Sequence, residues 1–378
     1  MIKWIFKYSF VLFLFNTVLL SIESTKDIGN NVFLFVMVLY TICLLINPNY
    51  FKHIISHKAF LFLLILILLN VVYFFIFHSI NDIKALNYLL ARTVQFSIIS
   101  ISIYSNYYYY KTKFLSHLIY FISFIVFVGF LFNSNLLSGR YAGIIWNPNM
   151  LASFTSIVFA VLFLKEKDKT RADIFLTVVF LIVFLATGSR GVLIAIALAV
   201  LFKYGFSRRS MIYTFLCLLV SLILINIQLD TSINRFASQT LFNDRIVQYQ
   251  LALETIYNNI YSGYGLDKYS FVDKKLAPYS NLVTVLGAHN GYLAILTQYG
   301  IVFGSIVLFV ILSKSIQVIR YFSNSSNVER TYLFILVYAL FASVYETLLT
   351  GINEFHTILF WFSLVFLSYS KFKKLNEI

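Results

Sequence analysis

Charge is scarce in this chain. Only 12% of its 378 residues are charged, about half the share of a domain that folds in water. Proline is scarcer still: three in all, Pro48, Pro148 and Pro278, each in a loop or near the end of an apolar run. Many transporters break their helices with glycine and proline around a midplane site and carry internal repeats. Neither feature is written here. There are two cysteines, Cys43 and Cys217, both inside apolar runs with no ligand spacing around them, so neither a disulfide framework nor a thiolate metal site is expected. No linker rich in proline, glycine or serine divides the chain, and a single domain over 1–378 is the simplest expectation.

What is present is apolar. Hydrophobic residues make up 60% of the chain, with 41 Phe and 27 Tyr, and the mean hydropathy is +0.84. A bilayer is the solvent this composition suits, at roughly 20 apolar residues per crossing helix. Twelve apolar segments can be read, near 5–22, 28–46, 59–77, 83–104, 114–132, 149–164, 173–187, 191–204, 211–227, 291–312, 332–349 and 355–370. The first follows a charged start, MIKWIFK, but is long and lacks a small-residue cleavage motif, so it reads as a retained span. The expected fold is an all-α polytopic bundle of about twelve transmembrane helices. With both termini in the cytoplasm, most of the 29 basic residues fall in the tails and cytoplasmic loops, as the positive-inside rule requires. The net charge of +14 is then topology and contact with anionic lipid, and nucleic acid need not be invoked.

One outward loop is long, 228–289, and long loops are usually functional. Within it Ile246, Tyr249, Leu253, Ile256, Tyr257 and Ile260 recur at helical spacing, with Asn243 placed to cap and Gly263 and Gly265 to terminate. The spacing predicts an amphipathic helix on the outer surface. Four basic or titratable residues share that membrane side: Arg140 in SGRYAGIIWNPN, Arg190 in TGSRG, Arg245 in NDRIVQ and His289 in AHNGY. Ser189, Asn243 and Asn290 stand where they can cap helices beside three of them, and Asn147 and Asn149 flank Pro148 at a further helix start. Helix N-termini present free N–H groups to anions, and arginine adds a permanently charged fork matched to phosphate. A diphosphate at the outer lipid interface is the ligand such a set suits. Arg92 is different: it falls inside the fourth apolar segment, where an arginine is either functional or paired, with Glu346 or a backbone carbonyl as the expected partner. The acids expected on the outer face, Asp82, Asp230, Asp244, Asp267 and Asp273, are scattered, so no metal site is expected.

These stretches, in this order, resemble the O-antigen ligase and Wzy-type polysaccharide polymerase family. The resemblance spans about residues 135–315: G-R-x-x-G with a following N-P-N, G-S-R-G between two spans, an Arg opening a helix that leads into G-x-G, and H-N before an apolar run containing G-I-V-F-G. Leu266, Asp267 and Lys268 depart from the usual glycine-rich tail after Gly265. The resemblance implies a metal-independent membrane glycosyltransferase of the GT-C-like architecture, without cofactor, acting on undecaprenyl diphosphate-linked oligosaccharide outside the cytoplasmic membrane. A chain-length regulator and a flippase of the same pathway are its implied partners. Arg190 and Arg245, supported by Arg140, are then expected to hold the diphosphate. His289 is the expected general base, because an imidazole accepts a proton near neutrality whereas a carboxylate would repel the donor. Asn147, Asn149, Ser189, Asn290 and Arg92 are expected in support. Polymerase is favoured over ligase, and a translocator of the same lipid-linked sugars or a noncatalytic assembly partner are the competing expectations.

Overall fold

The computed structural model describes residues 2–136, 140–166, 169–189, 191–205, 207–208, 212, 245–266, 288–325 and 328–376. Among them secondary structure is helical throughout, with no strand. The helices are α1 (Ile2–Leu20), α2 (Lys26–Ile46), α3 (Pro48–Ser56), α4 (Leu61–Phe77), α5 (Ile83–Thr112), α6 (Phe114–Phe132), α7 (Pro148–Leu164), α8 (Arg171–Ala186), α9 (Gly191–Tyr204), α10 (Ile246–Asn258), α11 (Gly291–Phe322), α12 (Val328–Ala342) and α13 (Phe355–Asn376). Eleven of the twelve apolar segments coincide with helices, and the one at 211–227 lies outside the described residues apart from Ile212. Six helices, α1, α2 with the turn before it, α5, α6, α11 and α13, are long and apolar enough to cross a membrane. By length and composition the chain is a multi-pass membrane protein. The apolar side chains that remain outside the core, such as Leu45, Phe75 and Phe132, face outward at 76%, 68% and 79% exposure, which water would not tolerate in such number and lipid does.

The centre of the bundle is α13. Every residue from Phe355 to Ser370 is buried, because α1, α5, α7, α11 and α12 all pack against it. A helix that is apolar on all sides belongs in such a position. It is joined to α12 by the irregular segment 343–354, which carries two carboxyls, Glu346 and Glu354, between two apolar helices. The expected eleventh segment reached residue 349, but the helix ends at Ala342. Arg245, Tyr249, Asn290 and Gly291 all hydrogen-bond to backbone in 343–345, and these contacts hold that stretch out of helical form.

The helix expected in the long loop is present as α10, but its buried side differs from the expected one. Leu251, Ala252, Thr255 and Ile256 are buried, whereas Ile246, Leu253 and Tyr257 are exposed. Small residues decide this: Ala252 packs with Ala288 and Ala294, which lets α10 approach the start of α11 closely. Asn243, its expected cap, lies outside the described residues, and Arg245 itself occupies the cap position.

After α10 the chain folds into a break in α11. Gly300 has a left-handed backbone (φ 71°), and residues 260–265 run into the gap it opens: Ile301 N–H donates to Ile260 O (2.7 Å), Tyr264 N–H to Thr297 O (2.9 Å) and Gly265 N–H to Gln298 O (3.0 Å). Gly263 is also left-handed (φ 61°), and a Cβ there would overlap the Gly300 nitrogen. The G-x-G and G-I-V-F-G elements are thus two halves of one joint. His78 completes it, accepting at Nε2 from Leu266 N–H (3.2 Å) while its Nδ1 meets Asp82 at 2.7 Å.

Candidate functional site

Helix starts build the site. Asn147 caps α7, accepting from Asn149 N–H (2.9 Å) with Pro148 next, and Asn290 caps α11, accepting from Tyr292 and Leu293 N–H (2.9 and 3.0 Å). Asn290 was expected as a cap, and Asn147 as part of a helix start. Asn290 does more, since its amide donates to Val344 O (3.0 Å) and ties α11 to the 343–354 segment.

Arg245 and His289 come together, and Glu346 is what joins them. Arg245 donates to Glu346 Oε1 (2.9 Å) and to Tyr345 O, with its guanidinium 5.6 Å from the Tyr345 ring centre. His289 Nδ1 lies 3.6 Å from Glu346 Oε2. Burial pushes the Glu346 carboxyl up, but His289 and Arg245 outweigh it and hold the group below the usual carboxylate range. A carboxylate beside His289 was not among the expectations. Glu346 lies against both residues, where it neutralises one cation and orients one imidazole.

The backbone marks the same place. Among the described residues only two besides glycine are left-handed, Arg140 (φ 48°) and His289 (φ 40°). Such strain costs about 1–3 kcal/mol and persists where surrounding structure imposes it. Around His289 the imposing contacts are the Asn290 cap and the Gly291 N–H bond to Ser343 O (2.7 Å).

His289 and Glu346 line a cavity of about 290 Å³, walled by Thr17 of α1 and Ser21 just after it, the start of α7, Ser189 and Gly191, the end of α12, and residues 345–348 and 353–356. Asn147, Asn149 and Ser189 all line it as well. Arg140 is exposed and is not among the lining residues, while the next residue, Tyr141, donates its N–H to Ala186 O (2.9 Å). Arg190 lies outside the described residues, and Asp230, Asp244, Asp267 and Asp273 do too.

Arg92 is accounted for differently. It donates to Thr350 O, Gly351 O (3.2 Å), Gln95 Oε1 (2.7 Å) and the Tyr88 hydroxyl (3.0 Å), and Gln95 in turn donates to Ile352 O (2.7 Å). Of the two partners expected for it, backbone carbonyls take it, and Glu346 is engaged elsewhere. Arg92 clamps the far end of the segment that bears Glu346.

Three titratable lining residues were missed as site residues by sequence reasoning: Glu346, named there only as a possible partner of Arg92, Glu354 and His356. The signal was present in YETLLTGINEFH, residues 345–356, where two carboxyls and a histidine interrupt otherwise apolar sequence. Burial raises Glu354 to about 7.

Residues 175–309 match the family model described as O-antigen ligase. No curated protein matches the chain. The O-antigen ligase match takes in Arg190, Arg245 and His289, together with Gly263 and Gly300 of the joint that sets α10 against α11. Glu346, Glu354, His356, Arg92, Arg140 and the α7 cap lie outside it. No group of three or more His, Cys, Asp or Glu placed to hold a metal ion occurs among the described residues.

Proposed function

We propose that the chain is a membrane glycosyltransferase that polymerises undecaprenyl diphosphate-linked oligosaccharide repeat units into a capsular, exopolysaccharide or O-antigen chain, working on the outer face of the cytoplasmic membrane. A single membrane domain of about twelve spans with both termini inside carries the site. One observation bears most weight: within the stretch similar to O-antigen ligase, Arg245 and His289 are brought to one carboxyl, Glu346, and His289 and Glu346 line one cavity.

The chemistry needs charge neutralised on a leaving diphosphate and a proton removed from an acceptor hydroxyl. With Nδ1 turned to Glu346, His289 presents Nε2 to the acceptor O–H and takes its proton. The acceptor oxygen bonds the donor sugar's C1, the C1–O bond to diphosphate breaks, and its electron pair leaves on a phosphate oxygen. Arg245, with Arg190 and Arg140, meets that charge. The paired state of Arg245 and Glu346 is then the resting one, and an arriving diphosphate competes with Glu346 for the guanidinium.

The description of the matched family favours a second reading, transfer of the finished glycan to a lipid core or protein by ligation. Donor chemistry is common to both. A translocator loses its main support, since Arg92 is held by backbone carbonyls. The test is a His289→Ala strain analysed for surface polysaccharide. A polymerase predicts a single repeat unit left on its lipid carrier at the outer face. A ligase predicts accumulated long lipid-linked chains, and a translocator predicts the unit stranded on the cytoplasmic side. Unchanged polymer would remove the catalytic assignment.

A further inference from the structure

One wall of the cavity has no role in the proposed diphosphate chemistry. His356, in the first turn of α13, is 6% exposed. Its Nδ1 meets Ser153 Oγ at 3.1 Å and its ring packs edge-on to Tyr338 at 5.4 Å, but Nε2 has no partner. A buried imidazole nitrogen left unpaired is costly, and such groups in native proteins call for an explanation. His356 is one of the residues that line the cavity, and a ligand seated there that reaches Nε2 supplies the missing bond.

The chemistry of the lining narrows the ligand. Among the described residues that border the cavity there is no lysine or arginine, and two carboxyls, Glu346 and Glu354, are present. Asn149, Ser153, Asn353 and Glu354 supply no cation for an anion to pair with. Asn149, Ser153, Asn353 and His356 instead offer neutral groups that both donate and accept, and Phe154, Tyr338 and Phe355 offer apolar faces. Amides, hydroxyls and aromatic faces together are what a sugar ring requires, with its fringe of hydroxyls and its apolar C–H surface. The volume, about 290 Å³, is close to the lower bound of roughly 300 Å³ for small-ligand sites, enough for one ring rather than a chain.

Given the lipid-linked glycan substrate argued above, we propose that this wall is a neutral-sugar subsite, in which His356 Nε2 bonds a ring hydroxyl and Ser153, Asn353 and Glu354 take neighbouring ones. The elevated Glu354 carboxyl supports this role, because burial keeps it protonated closer to neutrality than an ordinary carboxyl, where it can donate as well as accept. The diphosphate end at Arg245 and the sugar end at His356 are then two sites served by one segment, 343–354.

The test uses the full chain in lipid nanodiscs, since alkyl glycoside detergents would compete. Saturation-transfer NMR is recorded with the methyl glycosides of glucose, galactose, N-acetylglucosamine and N-acetylgalactosamine, and binding of sugar-free undecaprenyl diphosphate is measured in parallel. At least one glycoside should bind, with affinity reduced about tenfold in His356→Phe, the cost of one lost buried hydrogen bond, and also reduced in the milder Ser153→Ala. Undecaprenyl diphosphate binding should be unchanged in both variants. Absence of glycoside binding to the wild-type protein, equal binding in all three proteins, or displacement of the glycoside by inorganic pyrophosphate would each overturn the subsite. Sugar binding lost with His356, alongside no binding of undecaprenyl diphosphate to the wild-type protein, would keep the subsite and remove the diphosphate reading. The reverse pattern would do the opposite.

Discussion

Glu346 is the residue on which the site's geometry turns. A carboxylate between a guanidinium and an imidazole holds both in place, and it also sets which imidazole nitrogen faces the cavity. Glu346→Gln keeps size and loses charge, so turnover should fall about 10- to 100-fold as His289 loses its orientation. His289→Ala should cost more, about 10²- to 10⁴-fold, if it removes the proposed general base. Both are read from polymer formed on a defined lipid-linked repeat unit, and equal, small effects would contradict the assigned roles. Glu354 gives a pH signature. Its carboxyl is raised from the ordinary 4.5 to about 7, so the folded state binds a proton that the unfolded chain has lost. Stability from this group is complete below about 4.5 and is lost as pH rises to about 7. Thermal unfolding of Glu354→Gln should lack this downward slope between those values. A slope identical to that of the native protein would show that Glu354 does not produce it.

At the scale of elements, the site depends on two devices that lie outside the cavity. The first is the Gly263–Gly300 joint. Both glycines are left-handed, and a Cβ at Gly300 would come within 2.6 Å of Ile260 O. Alanine at either position should cost at least about 1–3 kcal/mol and shift α10, which carries Arg245 at its start. Unfolding midpoints with parallel activity measurements check this, and an alanine variant of full stability would contradict it. The second is the Arg92 clamp. Arg92→Lys keeps the charge but cannot span Thr350 O, Gly351 O, Gln95 and Tyr88 together. A loss of about 2 kcal/mol in stability is expected, with a fall in activity larger than the stability loss explains. Wild-type activity in this variant would show that the 343–354 segment holds itself.

For the whole molecule, the expected orientation makes a direct prediction. The exposed apolar residues of α10, Leu253 and Tyr257, should stand outside the cytoplasmic membrane, while the lysines that end α13 should stand inside. In a cysteine-free background, Tyr257→Cys in intact cells should react with a membrane-impermeant maleimide, and Lys373→Cys should react only after permeabilisation. The opposite pattern would place the site on the cytoplasmic face and leave the proposed chemistry without its substrate. Composition and periodicity alone determined the membrane class, most helix positions and the helix starts at Asn147 and Asn290, because hydropathy and capping are local properties that neighbouring residues settle among themselves. Arg245 and His289 could be singled out for the same reason, by charge and by place at a helix start. Only the tertiary structure decided that α10 buries Ala252 rather than Leu253, that Arg92 serves backbone carbonyls, and that Glu346 unites Arg245 with His289. Each is a choice among partners more than fifty residues or a whole helix face apart, and packing, which local sequence does not encode, makes it.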